Sequence, residues 1–165
     1  MVSIRQFKPE DKETLLELIV ELQDYLIKID PLKKLRRLPG YEEKYIGNLL
    51  KKIEGKNGAI YIANVGNIPF GFIAGIIEEQ TKDHLLEYMP TKSGRVLELI
   101  VSEKQRGKNL GSMLMRKIEE YFLQQNCDVV RVEIFKTNNP AHNFYKKHGY
   151  DDRNIDMIKK IRNSV

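Results

Sequence analysis

Val101-Ser102-Glu103-Lys104-Gln105-Arg106-Gly107-Lys108-Asn109-Leu110-Gly111-Ser112 joins two differently patterned segments, and its reading decides the fold. Upstream, Arg95 to Ser102 alternates as a strand. Downstream, Leu110, Met113, Leu114, Ile118, Tyr121 and Phe122 fall on one stripe of a helix over 110–125. A helix that opens directly after a strand presents the unpaired N–H groups of its first turn and a partial positive charge. That arrangement suits a phosphate. Gly107 and Gly111 bring no side chain to obstruct a close approach, and Arg106 and Lys108 add full positive charge. Only three residues separate Gly107 from Gly111, which is not the phosphate loop of nucleotide hydrolases, and the dinucleotide pattern Gly-x-Gly-x-x-Gly is absent too. The physics points to a pyrophosphate or a similar anion; a plain solvated turn with basic residues is the other reading.

Working outward, Val2 to Phe7 alternates as a strand, and Pro9 opens a helix with Leu15, Leu18, Ile19, Leu22, Tyr25, Leu26 and Ile29 on one face. Pro31, Pro39 and Gly40 punctuate a basic connector, and a second helix carries Tyr45, Ile46, Leu49, Leu50 and Ile53. Ala59 to Val65 and Pro69 to Glu79 flank a Gly66-Asn67 hairpin turn. A polar loop over 80–94 leads to the strand before Ser102. After the helix over 110–125 come a strand from Val129 to Phe135, a short helix over 141–148 stopped by Gly149, and a closing strand from Ile155 to Ile161. Hairpins first and a strand–helix–strand crossover later predict a mixed α/β domain around one sheet. No repeat or linker breaks it, so residues 1–165 read as one domain.

Composition bounds the function. The chain has 165 residues, 28 basic and 23 acidic, for a net charge of +5, with 41% apolar and 31% charged residues. That is too apolar for a disordered chain, and no apolar run approaches the roughly 20 residues of a spanning helix. No signal-peptide core begins the sequence, and the lone Cys127 excludes an internal disulfide, so a cytoplasmic setting is expected. His84, His142, His148 and Cys127 lack zinc-ligand spacing, and no metal is expected. The mild positive charge permits an anionic ligand without requiring nucleic acid, for which no helix-turn-helix, zinc or aromatic-sheet signature exists. The basic residues of Lys33–Arg37 read as a solvated face.

A second motif follows the first: Asn138-Asn139-Pro140-Ala141-His142-Asn143-Phe144-Tyr145-Lys146-Lys147-His148-Gly149-Tyr150. Arg106 to Gly111 resembles the acetyl-CoA loop Arg/Gln-x-x-Gly-x-Gly/Ala of the GNAT superfamily of N-acetyltransferases. Asn138 to Tyr150 is similar to that superfamily's Asn-x-x-Ala-x-x-x-Tyr-x-x-x-Gly-Phe/Tyr segment. One departure stands out: the superfamily's central glycine is Asn109. Asn tolerates left-handed backbone angles best among non-glycine residues, so the loop geometry can survive.

The resemblance implies a mostly antiparallel sheet of about six to seven strands with helices on both faces. It implies an acetyl-CoA-dependent transfer to a primary amine, on a small molecule or a peptide, by direct attack in a ternary complex. A non-catalytic acyl-CoA-binding or regulatory module is the alternative. Coenzyme contacts are implied at Leu99, Ile100, Val101, Arg106, Gly107, Lys108, Asn109, Leu110, Gly111, Ser112, Asn138, Ala141, Phe144, Tyr145 and Lys147. Tyr145 matches the tyrosine that commonly protonates the leaving thiolate. The base is open between Glu133, on the strand before the second motif, and Glu98, on the strand before the first. Asp24, Tyr25 and Glu87 are candidates for the amine, with Asp30, His84 and Tyr88 beside them. No nucleic-acid or membrane partner is expected, and the superfamily allows a homodimer.

Overall fold

The structure, a computed structural model, describes residues 1–162. Strand β1 (Val2–Gln6) passes through a single 3-10 turn (Pro9–Asp11) into helix α1 (Lys12–Ile29), and α2 (Tyr41–Gly55) follows. Arg5 fastens that entry by donating to both oxygens of Asp11, at 2.7 and 2.6 Å. Strands β2 (Ala59–Val65) and β3 (Ile68–Glu78) form the hairpin, turning at Gly66 with φ +64°. A one-turn helix α3 (His84–Glu87) precedes β4 (Ser93–Val101); then come α4 (Leu110–Gln124), β5 (Val129–Arg131) and α5 (Asn139–Lys147).

The sheet order is β1-β2-β3-β4-β5, antiparallel throughout except for the parallel pair β4–β5 that the α4 crossover creates. Both faces are covered. Leu15, Leu18 and Ile19 of α1 and Ile46 and Leu49 of α2 pack on Ile60, Ile62, Phe72, Ala74 and Ile100. On the other face, Leu110, Leu114, Met115, Ile118 and Phe122 of α4 pack on Ala63, Ile73, Ile77 and Val96, and α5 contributes Tyr145. Phe122 lies so close to the sheet that a Cβ on Gly94 would stand 2.4 Å from its ring, so that position admits no side chain.

The feature that shapes the site is a bulge in β4. Ala74 pairs with Glu98 but Gly75 pairs with Val96, so Leu97 has no partner on β3. A bulge breaks the strict alternation of faces. Val96, Leu99 and Val101 join the α4 face, whereas Leu97 and Ile100 join the α2 face. Glu98 follows Leu97 onto the α2 face, where it meets Tyr45. β5 pairs with β4 only at Ser93, Gly94 and Arg95, so the two strands part beyond that point.

Three expectations need correction. Among the described residues the sheet has five strands, not six or seven. Residues 155–161 form no strand: Ile155, Met157 and Ile161 are all more than four-fifths exposed, because alternation alone supplies no hydrogen-bonding partner. β5 stops at Arg131 rather than Phe135, since β4 beyond its bulge no longer offers a parallel edge. No described helix is long and apolar enough to cross a membrane.

Candidate active site

The segment after β4 folds as its residues dictate. Gly107 (φ +78°) and Asn109 (φ +65°) both take left-handed angles, and Asn109 is the N-cap of α4. A Cβ on Gly107 would meet nothing within 4 Å, so its requirement is conformational, whereas a Cβ on Gly111 would stand 3.4 Å from the ring of Phe144. The two motifs therefore touch at Gly111 and Phe144. Leu110 is buried beneath α4, leaving the backbone of the turn and the exposed Lys108 on the outside. Leu99, Ile100 and Val101 lie where the edge of β4 opposite β3 has lost its strand partner. An extended chain could hydrogen-bond to that edge as a further strand does. These features fit a pantetheine-bearing diphosphate: a bare strand edge leads to a helix N-terminus whose first turn is open.

Arg106 behaves differently from the simple expectation. Its Nε donates to the carbonyl of Val101 at 3.0 Å, its other nitrogens approach Glu103 and Glu21 at 3.4 and 3.5 Å, and it lies over the Tyr25 ring at 5.9 Å. The guanidinium thus ties the turn to α1 instead of pointing a free charge outward. Tyr25 continues the brace, donating its hydroxyl to Asn138 Oδ1 at 3.2 Å; the same oxygen accepts from the Ala141 N–H at 3.3 Å and caps α5. Tyr25, expected near the amine, joins the two motif segments. Ser112 opens α4 half-buried, and Lys147 ends α5 exposed.

Tyr145 is 7% exposed, packed edge-on against Tyr150 and Phe144 at ring distances of 5.5 and 5.3 Å. Among the described residues its hydroxyl has no hydrogen-bond partner. Burial, reinforced by the negative charge of Glu98, holds its phenol well above the ordinary value, so it stays protonated at neutral pH.

The two candidate bases separate clearly. Glu133 lies beyond the end of β5, its side chain 84% exposed and paired with Arg95 at 2.9 Å. Glu98 is 9% exposed. Burial pushes its carboxyl up to about 7, against the opposing pull of the Tyr45 hydroxyl that donates to it and of the more distant Lys52 charge. Tyr45 lies against Tyr41 with ring centroids 5.4 Å apart, and the Tyr41 hydroxyl donates to Gln23 Oε1 at 3.2 Å. Sequence reasoning placed Tyr45 in the apolar stripe of α2. A hydroxyl-bearing residue in such a stripe needs a partner once buried, and that was the available signal.

The remaining amine candidates disperse. Asp24 is bound to Arg37 at 2.8 Å. Asp30 accepts the N–H groups of Leu32, Lys34 and Leu35 and so organises the connector. Glu87, His84 and Tyr88 sit at the Ser93 end of β4, the opposite end from the Val101 turn. Among the described residues no three His, Cys, Asp or Glu side chains gather as metal ligands.

Comparison with known proteins agrees with this geometry. The model of the Acetyltransferase (GNAT) family matches residues 21–150. The chain is 30% identical over 135 residues to an N-alpha-acetyltransferase of Sulfurisphaera tokodaii, a match covering 78% of this chain and 74% of that one. It is 28% identical over 88 residues to an uncharacterized N-acetyltransferase of Methanocaldococcus jannaschii; there the match covers 53% of this chain and 56% of the relative, about half its length. A Bacillus halodurans protein whose X-ray structure was solved as a tetramutant superposes with a TM-score of 0.84 at 15% identity, covering 96% of this chain and 99% of that one. The chain belongs to the GNAT acetyltransferase family.

Proposed function

We propose that this chain moves the acetyl group of acetyl-CoA to a primary amine, on a small molecule or at a peptide terminus, by direct attack with both substrates bound. The observation that supports this reading is a buried carboxyl and a buried phenol on opposite faces of the sheet, at the region where β4 and β5 part. Glu98 stands on the α2 face and Tyr145 on the α4 face. The coenzyme, when bound, supplies a thioester carbonyl activated toward nucleophiles.

The protein's own groups manage the protons. An alkylammonium with a pKa near 10.4 is only on the order of one part in a thousand neutral at pH 7, so it must lose a proton to react. Glu98, whose carboxyl burial pushes up to about 7, accepts the second proton of the nitrogen as it forms its new bond to carbon. Tyr145 donates its phenolic proton to the sulfur as the carbon–sulfur bond breaks. The ammonium sheds two protons on its way to the amide, the first to solvent and the second to Glu98; Tyr145 gives one to the sulfur and regains one from solvent, so the products are an amide, a free thiol and one released proton. The bare edge of β4 and the first turn of α4 hold the coenzyme arm and diphosphate, with Lys108 as the outward cation. Asn109 already takes a left-handed angle, which suits a working coenzyme loop. The half-buried free thiol of Cys127 suits a reducing cytoplasm.

The test is thiol release from acetyl-CoA across a panel of small amines and peptide N-termini, with products weighed by mass spectrometry. Amine-dependent release with a 42 Da gain on one class of acceptor is expected. Coenzyme binding without acetylation of any amine would favour the acyl-CoA-binding module instead.

A further inference from the structure

Burying Glu98 leaves a carboxylate that must be aimed and kept ionisable inside an apolar face, and the backbone of β4 does neither alone. The bulge at Leu97 turns both Leu97 and Glu98 toward α2, so the carboxyl arrives among the side chains of a helix from a distant part of the sequence. There a hydroxyl meets it: Tyr45 donates to Glu98 Oε1. Tyr45 is itself held. Its ring lies tilted by 34° against Tyr41, Tyr41 donates to Gln23 Oε1, and the buried Gln23 donates from Nε2 to the carbonyl of Arg36 at 3.1 Å. The chain of contacts runs from the connector through α1 and α2 to β4, so the hydroxyl of Tyr45 is fixed before any substrate arrives.

We propose that Tyr45 is a positioning residue of this enzyme: its hydroxyl holds the Glu98 carboxylate in one orientation on the α2 face and stabilises its charge. The role rests on Glu98 being the base proposed above. A hydroxyl donated to a carboxylate favours the charged form, opposing the desolvation that favours the neutral one. Four groups act on or respond to Glu98: Tyr45, Tyr41 and Lys52 from α2, and Tyr145 from α5 across the sheet. Tyr41 and Tyr145 are neutral at working pH, with phenols pushed up by burial, Tyr41 to about 12. Lys52 contributes only at longer range. Among the described residues, Tyr45 is therefore the one group that both touches the carboxylate and stabilises its charge.

The experiment is a carbon-13 titration of the Glu98 carboxyl in the full chain, alongside the pH–rate profile, for the wild type, Tyr45→Phe and Glu98→Gln. Tyr45→Phe should raise the Glu98 midpoint by about one pH unit and move the acid limb of kcat/KM upward by the same amount. Should Tyr45→Phe fail to fold, 3-fluorotyrosine at position 45, a more acidic donor, should move both downward. Midpoints unmoved by either replacement would overturn the positioning role. A carboxyl midpoint that moves while the acid limb stays put, with Glu98→Gln still fully active, would leave the Tyr45 contact intact and refute Glu98 as base.

Discussion

The α4 face and the α2 face of the sheet are built from different materials. Toward the α4 side, the groups proposed to hold the coenzyme come from two short contiguous segments, 99–112 and 138–147, and much of their work falls to backbone: a bare strand edge, left-handed turns and a helix N-terminus. On the α2 face, the proposed base depends on side chains brought together from β4, α2 and α1, and on a single unpaired residue, Leu97. The contrast teaches that a diphosphate can be bound by local chain geometry. A base tuned to neutral pH needs burial, which only tertiary packing supplies.

Substitutions on the two faces should fail in different ways. The largest effect belongs to the acid. Tyr145→Phe keeps the packing against Tyr150 and removes only the free hydroxyl, so turnover should fall by about 10²-fold with little change in coenzyme KM; steady-state rates with undiminished turnover would remove the acid role.

Next comes a stability signature confined to the α2 face. Glu98 has a folded value near 7 against 4.5 unfolded, so the folded state binds the extra proton between those limits. Its contribution is fully present below pH 4.5, declines as pH rises through 7, and amounts to about 3 kcal/mol over that window. Denaturant unfolding from pH 5 to 8 should show that decline in the wild type. The slope should be markedly flatter in Glu98→Gln; parallel slopes would place Glu98 in a more aqueous setting than the structure shows.

Smaller effects probe the α4 face. Gly107→Ala forces a side chain into φ +78°, a cost of about 1 kcal/mol, and should raise the KM for acetyl-CoA about fivefold while leaving the acid limb in place. Asn109→Gly relieves a left-handed angle and should tighten coenzyme binding by about twofold to fivefold in calorimetry. A shift of the acid limb in either variant would break the separation of the two faces.

The same division explains what could be read from the chain beforehand. Element order, the Gly66 hairpin and the two coenzyme segments were legible because turns, caps and helix starts are written in neighbouring residues. The left-handed Asn109 was anticipated for the same reason. The choice between Glu98 and Glu133 stayed open because both alternate with apolar neighbours, and only the bulge and the shortened β5 decide that one is buried and the other solvated. Arg106 and Tyr25, expected to meet ligands, also brace the turn against α1 and α5, a pairing across the fold that no local pattern records. The tail over 155–161 shows the reverse error, a strand pattern without an edge to join.

The central claim is that Glu98 is the base and Tyr145 the acid of one acetyl transfer. Its most direct test is the pH dependence of kcat/KM for amine acetylation in the wild type and in Glu98→Gln. An acid limb near pH 7 in the wild type, lost together with at least 10²-fold of the rate in the variant, is the predicted result. A variant that keeps both the limb and the rate would contradict it.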